Sequence, residues 1–330
     1  MMKFRNLFDN QNLAVMLAEN WEYDRERENP VEFCRSSANA IFVFFREGNP
    51  CFLRFAPLEE KQPEAIRAEL HFSRYLRNNG YTAVETIPAK DGSEMVVRET
   101  PWGKHVAVTF KLVPGDDLEE IDYSDDMYYG FGEMLGRLHE LSKNYKPEVR
   151  RTDWQSLLRW AAEVLEEYAA PEIALKEAAI LEEFFTTLPM TTDNYGLIHY
   201  DFEMDNVFYD KETESYNIID FDDSVYHWYA MDIVQSTNSI KSELPEKLHQ
   251  QAEANFMDGY KSITAVDESM LAIMPTFKRY ANLIGYARCL RSTHEQWLNE
   301  PEWMKELRVH LENSMSSSSI NFGQTINYPE

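Results

Sequence analysis

Four residues in the middle of the chain have the types and the spacing of a chemical site. His199, Asp201 and Asn206 stand in the order H-x-D-x-x-x-x-N, and Asp220 closes the apolar run "NIID" fourteen positions later. Carboxylates are rarely fully buried unless they are paired or bind a metal, so this density of acids beside strand-forming residues calls for a reason. Phosphoryl transfer supplies one. It needs a carboxylate that orients the attacking hydroxyl, and a second carboxylate with an amide oxygen to hold magnesium against nucleotide phosphates. Such oxygen donors suit a hard cation, and the lack of a nearby Cys argues against zinc. A tight loop from Asp201 to Asn206, followed by a hairpin returning Asp220, would bring the three together. Two rival readings exist: a polar turn between strands, and, for "DFD" alone, the D-x-D of metal-dependent glycosyltransferases. The second leaves the H-x-D loop unexplained.

The elements that must position these residues fall into two groups. Residues 6–28 read as a helix with Leu13, Met16 and Leu17 on one stripe. The runs "AIFVFF" and "CFLRF" are rich in β-formers, and "REGNP" between them reads as a hairpin turn. Pro63 suits the first turn of a helix that Gly80 closes, with Ile66, Leu70 and Leu76 near one face. "SEMVVRE" and "HVAVTFKLV" read as two further strands before "PGDD" breaks the pattern. Beyond Gly115, Met127, Phe131, Met134, Leu135 and Leu138 recur at helical spacing. Segments 153–169 and 172–188, and stretches within 246–263 and 270–313, also read as helical. The expected organisation is a β-rich lobe over 1–112, with its N-terminal helix, and a mostly helical lobe over 113–330. The Ser-rich stretch "SMSSSSINFGQTINYPE" reads as a mobile extension.

The loop "HYDFEMDN" and the strand end "IIDFDDS" resemble the aminoglycoside phosphotransferase and choline kinase superfamily, small-molecule kinases with a protein-kinase-like fold. The likeness extends over about residues 35–235. "SSANAIFVF" is similar to the family's first hairpin, "CFLRF" to the strand with its basic phosphate-binding residue, "FKLVPGDDL" to the interlobe hinge, and "FGEMLGRLHEL" to the first helix beyond it.

The resemblance implies an α+β, bilobal fold and transfer of the γ-phosphoryl group of ATP, with GTP left open, to a hydroxyl of a small molecule. It implies Asp201 as catalytic base, with Asn206 and Asp220 as Mg2+ ligands. It further implies Arg54 on the phosphates and paired with Glu69, Ser37 and Asn39 at the phosphate turn, and the backbone of Phe110 to Leu112 against the base. His199 and Asp232 would support the site. The chain departs from the family with Tyr200 in place of the usual Gly, and it has no G-x-G-x-x-G. "DFD" instead of D-F-G, without an A-P-E segment, points away from a protein kinase. Phosphorylation of proteins, and nucleotide binding without turnover, are the alternatives.

Bulk properties narrow the partners. With 32 Lys and Arg against 57 Asp and Glu, the formal charge is −25. That disfavours nucleic acid, which is bound through clustered cations. Cys34, Cys51 and Cys289 show no paired spacing and read as reduced, mostly packed thiols. No secretory signal or membrane span is legible, so a cytoplasmic enzyme is expected, its oligomeric state unspecified. His139 reads as a packed, hydrogen-bonded histidine, and the aromatic cluster "VYHWYAMDI" as packing more than as a cation box.

Overall fold

Strand-forming residues build a five-stranded antiparallel sheet near the start of the chain. After α1 (Gln11–Ala18), the elements are β1 (Val31–Ser36), β2 (Ala40–Arg46), β3 (Asn49–Pro57), α2 (Pro63–Asn78), β4 (Met95–Thr100) and β5 (Gly103–Lys111), with strand order β1-β2-β3-β5-β4. The β2–β3 turn places Glu47 and Gly48 at φ 53° and 79°, the left-handed pair that matches the twist of a hairpin. Asp24 fixes it by accepting both their amides at 2.9 Å. Phe42, Phe44 and Leu53 form the buried face of this sheet. Pro63 opens α2 as expected, and Gly80 follows its end at φ 80°. Ile66, Leu70, Phe72 and Leu76 of α2 are buried, and so is Glu69.

The computed structural model describes residues 1–326. The chain divides into two compact units, the first being Met1–Gly115 with Pro147–Arg150 and Asn217–Asp222, and the second the remainder. The return of residues 217–222 to the first unit matters for the site. Ile218 donates its amide to Thr82 at 2.9 Å and accepts that of Val84 at 2.8 Å. Phe221 meets Phe72 edge-on at 5.9 Å. Asp220 is thus held between a backbone anchor and an aromatic one.

The second unit is mostly helical. It runs through β6 (Asp116–Asp117), α3 (Asp125–Ser142), α4 (Trp154–Glu167), α5 (Glu172–Thr186), β7 (Tyr195–Ile198) and β8 (Val207–Asp210), and β9 (Ser215–Ile218) then leads back to the first unit. It resumes with β10 (Val225–Trp228), α6 (Ala230–Glu243), α7 (Glu246–Ile263), α8 (Glu268–Ala272), α9 (Met274–Thr293) and α10 (Glu302–Ser318). Ser124 and Asp153 cap α3 and α4 by accepting amides three residues on. The apolar stripe of α3 is buried throughout. It packs on α7 at backbone distance: a Cβ on Gly132 would stand 1.8 Å from the Phe256 carbonyl oxygen, and one on Gly259 1.9 Å from that of Tyr129. β7 pairs antiparallel with β10, and the loop bearing Asp201 runs from the end of β7 into β8.

Three expectations need correction. The helix expected over 6–28 is confined to Gln11–Ala18, where Asn10 caps it through the Leu13 amide; the polar run after Asn20 supplies turns instead. Cys34 is exposed and Cys289 only partly buried, leaving Cys51 as the packed thiol. The Ser-rich stretch is no mobile extension as far as residue 326. Its serines continue α10 by returning their hydroxyls to carbonyls four residues back. Phe322 is then buried, Gly323 donates to Glu177, and Arg279 donates to the Gln324 carbonyl. Residues 327–330 lie outside the described range.

Candidate active site

The loop that carries Asp201 is built around Asp232 in the first turn of α6. Its Oδ2 accepts the His199 amide at 2.9 Å and its Oδ1 the Tyr200 amide at 2.7 Å. His139 Nε2 reaches the same carboxylate at 3.1 Å, while its Nδ1 faces the Tyr260 hydroxyl at 2.8 Å. Burial depresses the pKa of His139, despite Asp232. His139 is therefore the packed, hydrogen-bonded histidine expected of it. The His199 ring is fully buried, and its Nδ1 accepts the Asp201 amide at 3.3 Å.

Tyr200, where the resemblance leads one to expect Gly, has φ 67°. A glycine would reach this conformation freely; here two Asp232 bonds hold the loop in it. The Tyr200 ring is buried beneath the Arg288 guanidinium, 6.0 Å from the ring centre. Arg288 is in turn forked onto Asp223 at 2.7 and 3.0 Å.

Asn206 is oriented by Asp201. Its Nδ2 donates to the Asp201 carboxylate and to the Asp201 carbonyl, both at 3.0 Å. That fixes which end of the amide is which. Asn206 Oδ1 is left buried and without a hydrogen-bond partner. Nearby, burial together with Asp205, Glu119 and Glu243 pushes the Glu203 carboxyl up to about 7.

In the first unit, Arg54 pairs with Glu69 at 2.7 Å, and both side chains are almost wholly buried. Burial alone would depress this guanidinium, but Glu69 and Asp222 outweigh it and hold it above its usual value. Arg54 also lies 4.8 Å over the Phe110 ring and 3.6 Å from Asp220 Oδ1. Arg35 stands 3.8 Å from the other Asp220 oxygen. Asp220 has φ 57°, and its Oδ1 is buried without a hydrogen-bond partner.

Other expected residues find different surroundings. Asn39 is buried and spends its Nδ2 on Asp222 at 2.9 Å, while Ser37 is exposed. Leu112 has an exposed side chain. Asp222 is buried, paired with Lys61, and held below the usual carboxylate range by Lys61 and Arg54 against the opposing effect of burial. Lys61 and Arg288 carry no sequence signal beyond their charge; Asp222 and Asp223, which follow Asp220 in the acid run and could read as assisting the metal or as capping or surface acids, are taken up by these two cations. Arg35 carries no such signal either, because its direction depends on a strand irregularity. The aromatic cluster proves to be packing: His227 and Trp228 are fully buried, and Trp154 and Phe185 crowd Trp228.

A family model described as the phosphotransferase enzyme family matches residues 33–265. The chain belongs to that family. It is an enzyme, a small-molecule kinase that uses ATP. The amicoumacin kinase of Bacillus subtilis (strain 168) is 22% identical over 340 aligned positions, covering 98% of each chain. Among solved structures, an amicoumacin kinase in complex with AMP-PNP, Ca2+ and Ami superposes with a TM-score of 0.76 at 19% identity, covering 97% of this chain and 96% of that one. A microcompartment-associated aminopropanol kinase gives 0.67 at 20% identity, with 94% and 95% covered. The mixed α/β fold, β-rich before and mostly helical after, is the kinase-like fold of these proteins. Among the described residues, no helix is long and apolar enough to cross a membrane.

Proposed function

We propose that Asp201 orients the acceptor hydroxyl and takes its proton, while Asn206 and Asp220 hold a magnesium ion that accompanies ATP. The observation that carries this reading is a pair of buried oxygens, Asn206 Oδ1 and Asp220 Oδ1, that accept no hydrogen bond. A buried acceptor left unsatisfied costs about 1–3 kcal/mol, and a hard cation is a partner that each of these oxygens would suit. Among the described residues, no three His, Cys, Asp or Glu side chains gather into a metal site. The donors proposed here are one carboxylate and one amide, oxygen ligands of the kind that suits magnesium. Bound there, the ion would neutralise charge on the phosphates.

The chain's own residues supply the rest. Asn206 fixes the Asp201 carboxylate through Nδ2, and Asp232 fixes the backbone just before it. Arg54, braced by Glu69, is aimed at the phosphates, and the backbone from Phe110 to Leu112 at the base. Ser37 is assigned to phosphate through its exposed position; Asn39 acts through Asp222 instead. His199 supports the loop. The lobes are read as 1–112 and 113–330, and the reaction as cytoplasmic. An acceptor carrying both an amine and a hydroxyl is favoured, on the name of the aminopropanol kinase relative and on the acidic charge of this chain.

The test is transfer from γ-labelled ATP with magnesium into a pool of amino alcohols and hydroxylated antibiotics, wild type beside Asp201→Asn. Label in a small molecule from wild type alone supports the assignment. Equal transfer by both proteins would remove Asp201 from its role.

A further inference from the structure

The first hairpin lacks the glycines whose backbone amides grip phosphate in other kinases, so some other group must do that work. β1 and β2 pair with Phe33 opposite Phe42, but then with Arg35 opposite Ile41, so Cys34 is an extra residue in β1. Continuing the first register would have set Arg35 opposite Ala40. A bulge of one residue turns every later side chain to the other face of a strand. The shifted register aligns Arg35, Ile41 and Arg54 in one row across β1, β2 and β3, and residues in a row share a face. The result is visible at Asp220, where Arg54 approaches Oδ1 at 3.6 Å and Arg35 approaches Oδ2 at 3.8 Å.

We infer that Arg35 is a second phosphate-gripping cation, taking the place of the absent glycine loop, with the β1 bulge as the device that aims it. This rests on the reading of Asp220 as a magnesium ligand. Both separations at Asp220 exceed hydrogen-bond length, so neither guanidinium is committed to the carboxylate. The Arg35 side chain is half exposed, whereas that of Arg54 is buried. Arg35 can therefore swing toward the terminal phosphates when the metal occupies the carboxylate, while Arg54 stays fixed by Glu69. A guanidinium suits this, since it bonds phosphate oxygens in pairs.

Equilibrium binding of ATP, ADP and AMP with magnesium, followed by calorimetry, separates the possibilities for wild type, Arg35→Ala and Arg35→Lys. The expected result is a loss of roughly tenfold or more in ATP affinity for Arg35→Ala, the order of one charge-assisted bond. AMP affinity should hardly change, and Arg35→Lys should recover part of the loss. Unaltered ATP affinity in Arg35→Ala would overturn the inference while leaving the metal site intact, and so would an equal loss for ATP and AMP. If wild-type binding of ATP is itself indifferent to magnesium, the reading of Asp220 fails, and the role of Arg35 with it. Arg35 lies on an exposed edge, and matching thermal midpoints for the three proteins would show that folding is not the cause.

Discussion

The Asp232 carboxylate accepts the backbone amide of Tyr200 at 2.7 Å. This bond joins the start of α6 to the residue just before Asp201 and holds a non-glycine residue in left-handed backbone. Replacing Asp232 by Ala would strand two buried amides and the His139 ring, at about 1–3 kcal/mol for each unsatisfied group. The expected outcome is a fall in thermal midpoint and in turnover, with nucleotide affinity largely retained. Calorimetric unfolding beside a nucleotide titration would check it; turnover unchanged at the wild-type level would count against the bracing role.

Tyr200→Gly provides a separate test of the same loop. Glycine relieves the φ of 67° but empties a buried ring's space, and deleting large buried aromatics costs about 3–5 kcal/mol. Packing outweighs backbone ease, so the variant should be less stable than wild type. A gain in stability on chemical denaturation would show that strain dominates.

Buried Asp222 pairs with the partly buried Lys61, and removing one partner of a fully buried pair costs about 3–5 kcal/mol, an upper bound for this one. Asp222→Asn should therefore destabilise strongly. Because the Asp222 pKa is depressed in the folded protein, its contribution is present above the ordinary carboxylate pKa and is lost as pH falls through the folded value. The gap between wild type and Asp222→Asn should be widest near neutrality and narrow in acid. A gap that stays constant from pH 7 to acid would contradict the pairing.

Glu203 behaves in the opposite sense. Burial and its acidic neighbours raise its folded pKa to about 7, above the ordinary glutamate value of about 4.3, so the folded state holds a proton that the unfolded state releases. The stabilising contribution is complete below about pH 4.5 and lost as pH rises through about 7. Glu203→Gln should flatten the decline in thermal midpoint across that window. Parallel curves for the two proteins would place the carboxyl in an ordinary, solvated environment.

How far the sequence carries the structure depends on the kind of information. Chain-local chemistry was legible. The Glu47–Gly48 turn, Pro63 at the head of α2 and the buried stripe of α3 follow from residue type and period. The types and order of His199, Asp201, Asn206 and Asp220 point to phosphoryl transfer from the sequence alone. What was not legible involves partners distant in sequence. Nothing near Asp222 announces Lys61, 161 residues earlier. Nothing in "SMSSSSINFG" announces that Glu177 and Arg279 will receive it. The first helix was overdrawn because charged residues beyond Asn20 kept a helix-compatible composition while Asp24 was committed to the hairpin turn. The direction of Arg35 was hidden for a geometric reason, since a bulge changes the face of a side chain without altering its neighbours in sequence.

That bulge also leaves a practical handle. Its extra residue is Cys34, exposed, whereas Cys51 is buried and Cys289 partly so. A thiol-reactive fluorophore added at limiting dose should attach first at Cys34, one residue from the guanidinium assigned to the nucleotide. The unmodified protein thus offers a place for an optical reporter of occupancy, able to follow nucleotide arrival in stopped flow before the acceptor is known.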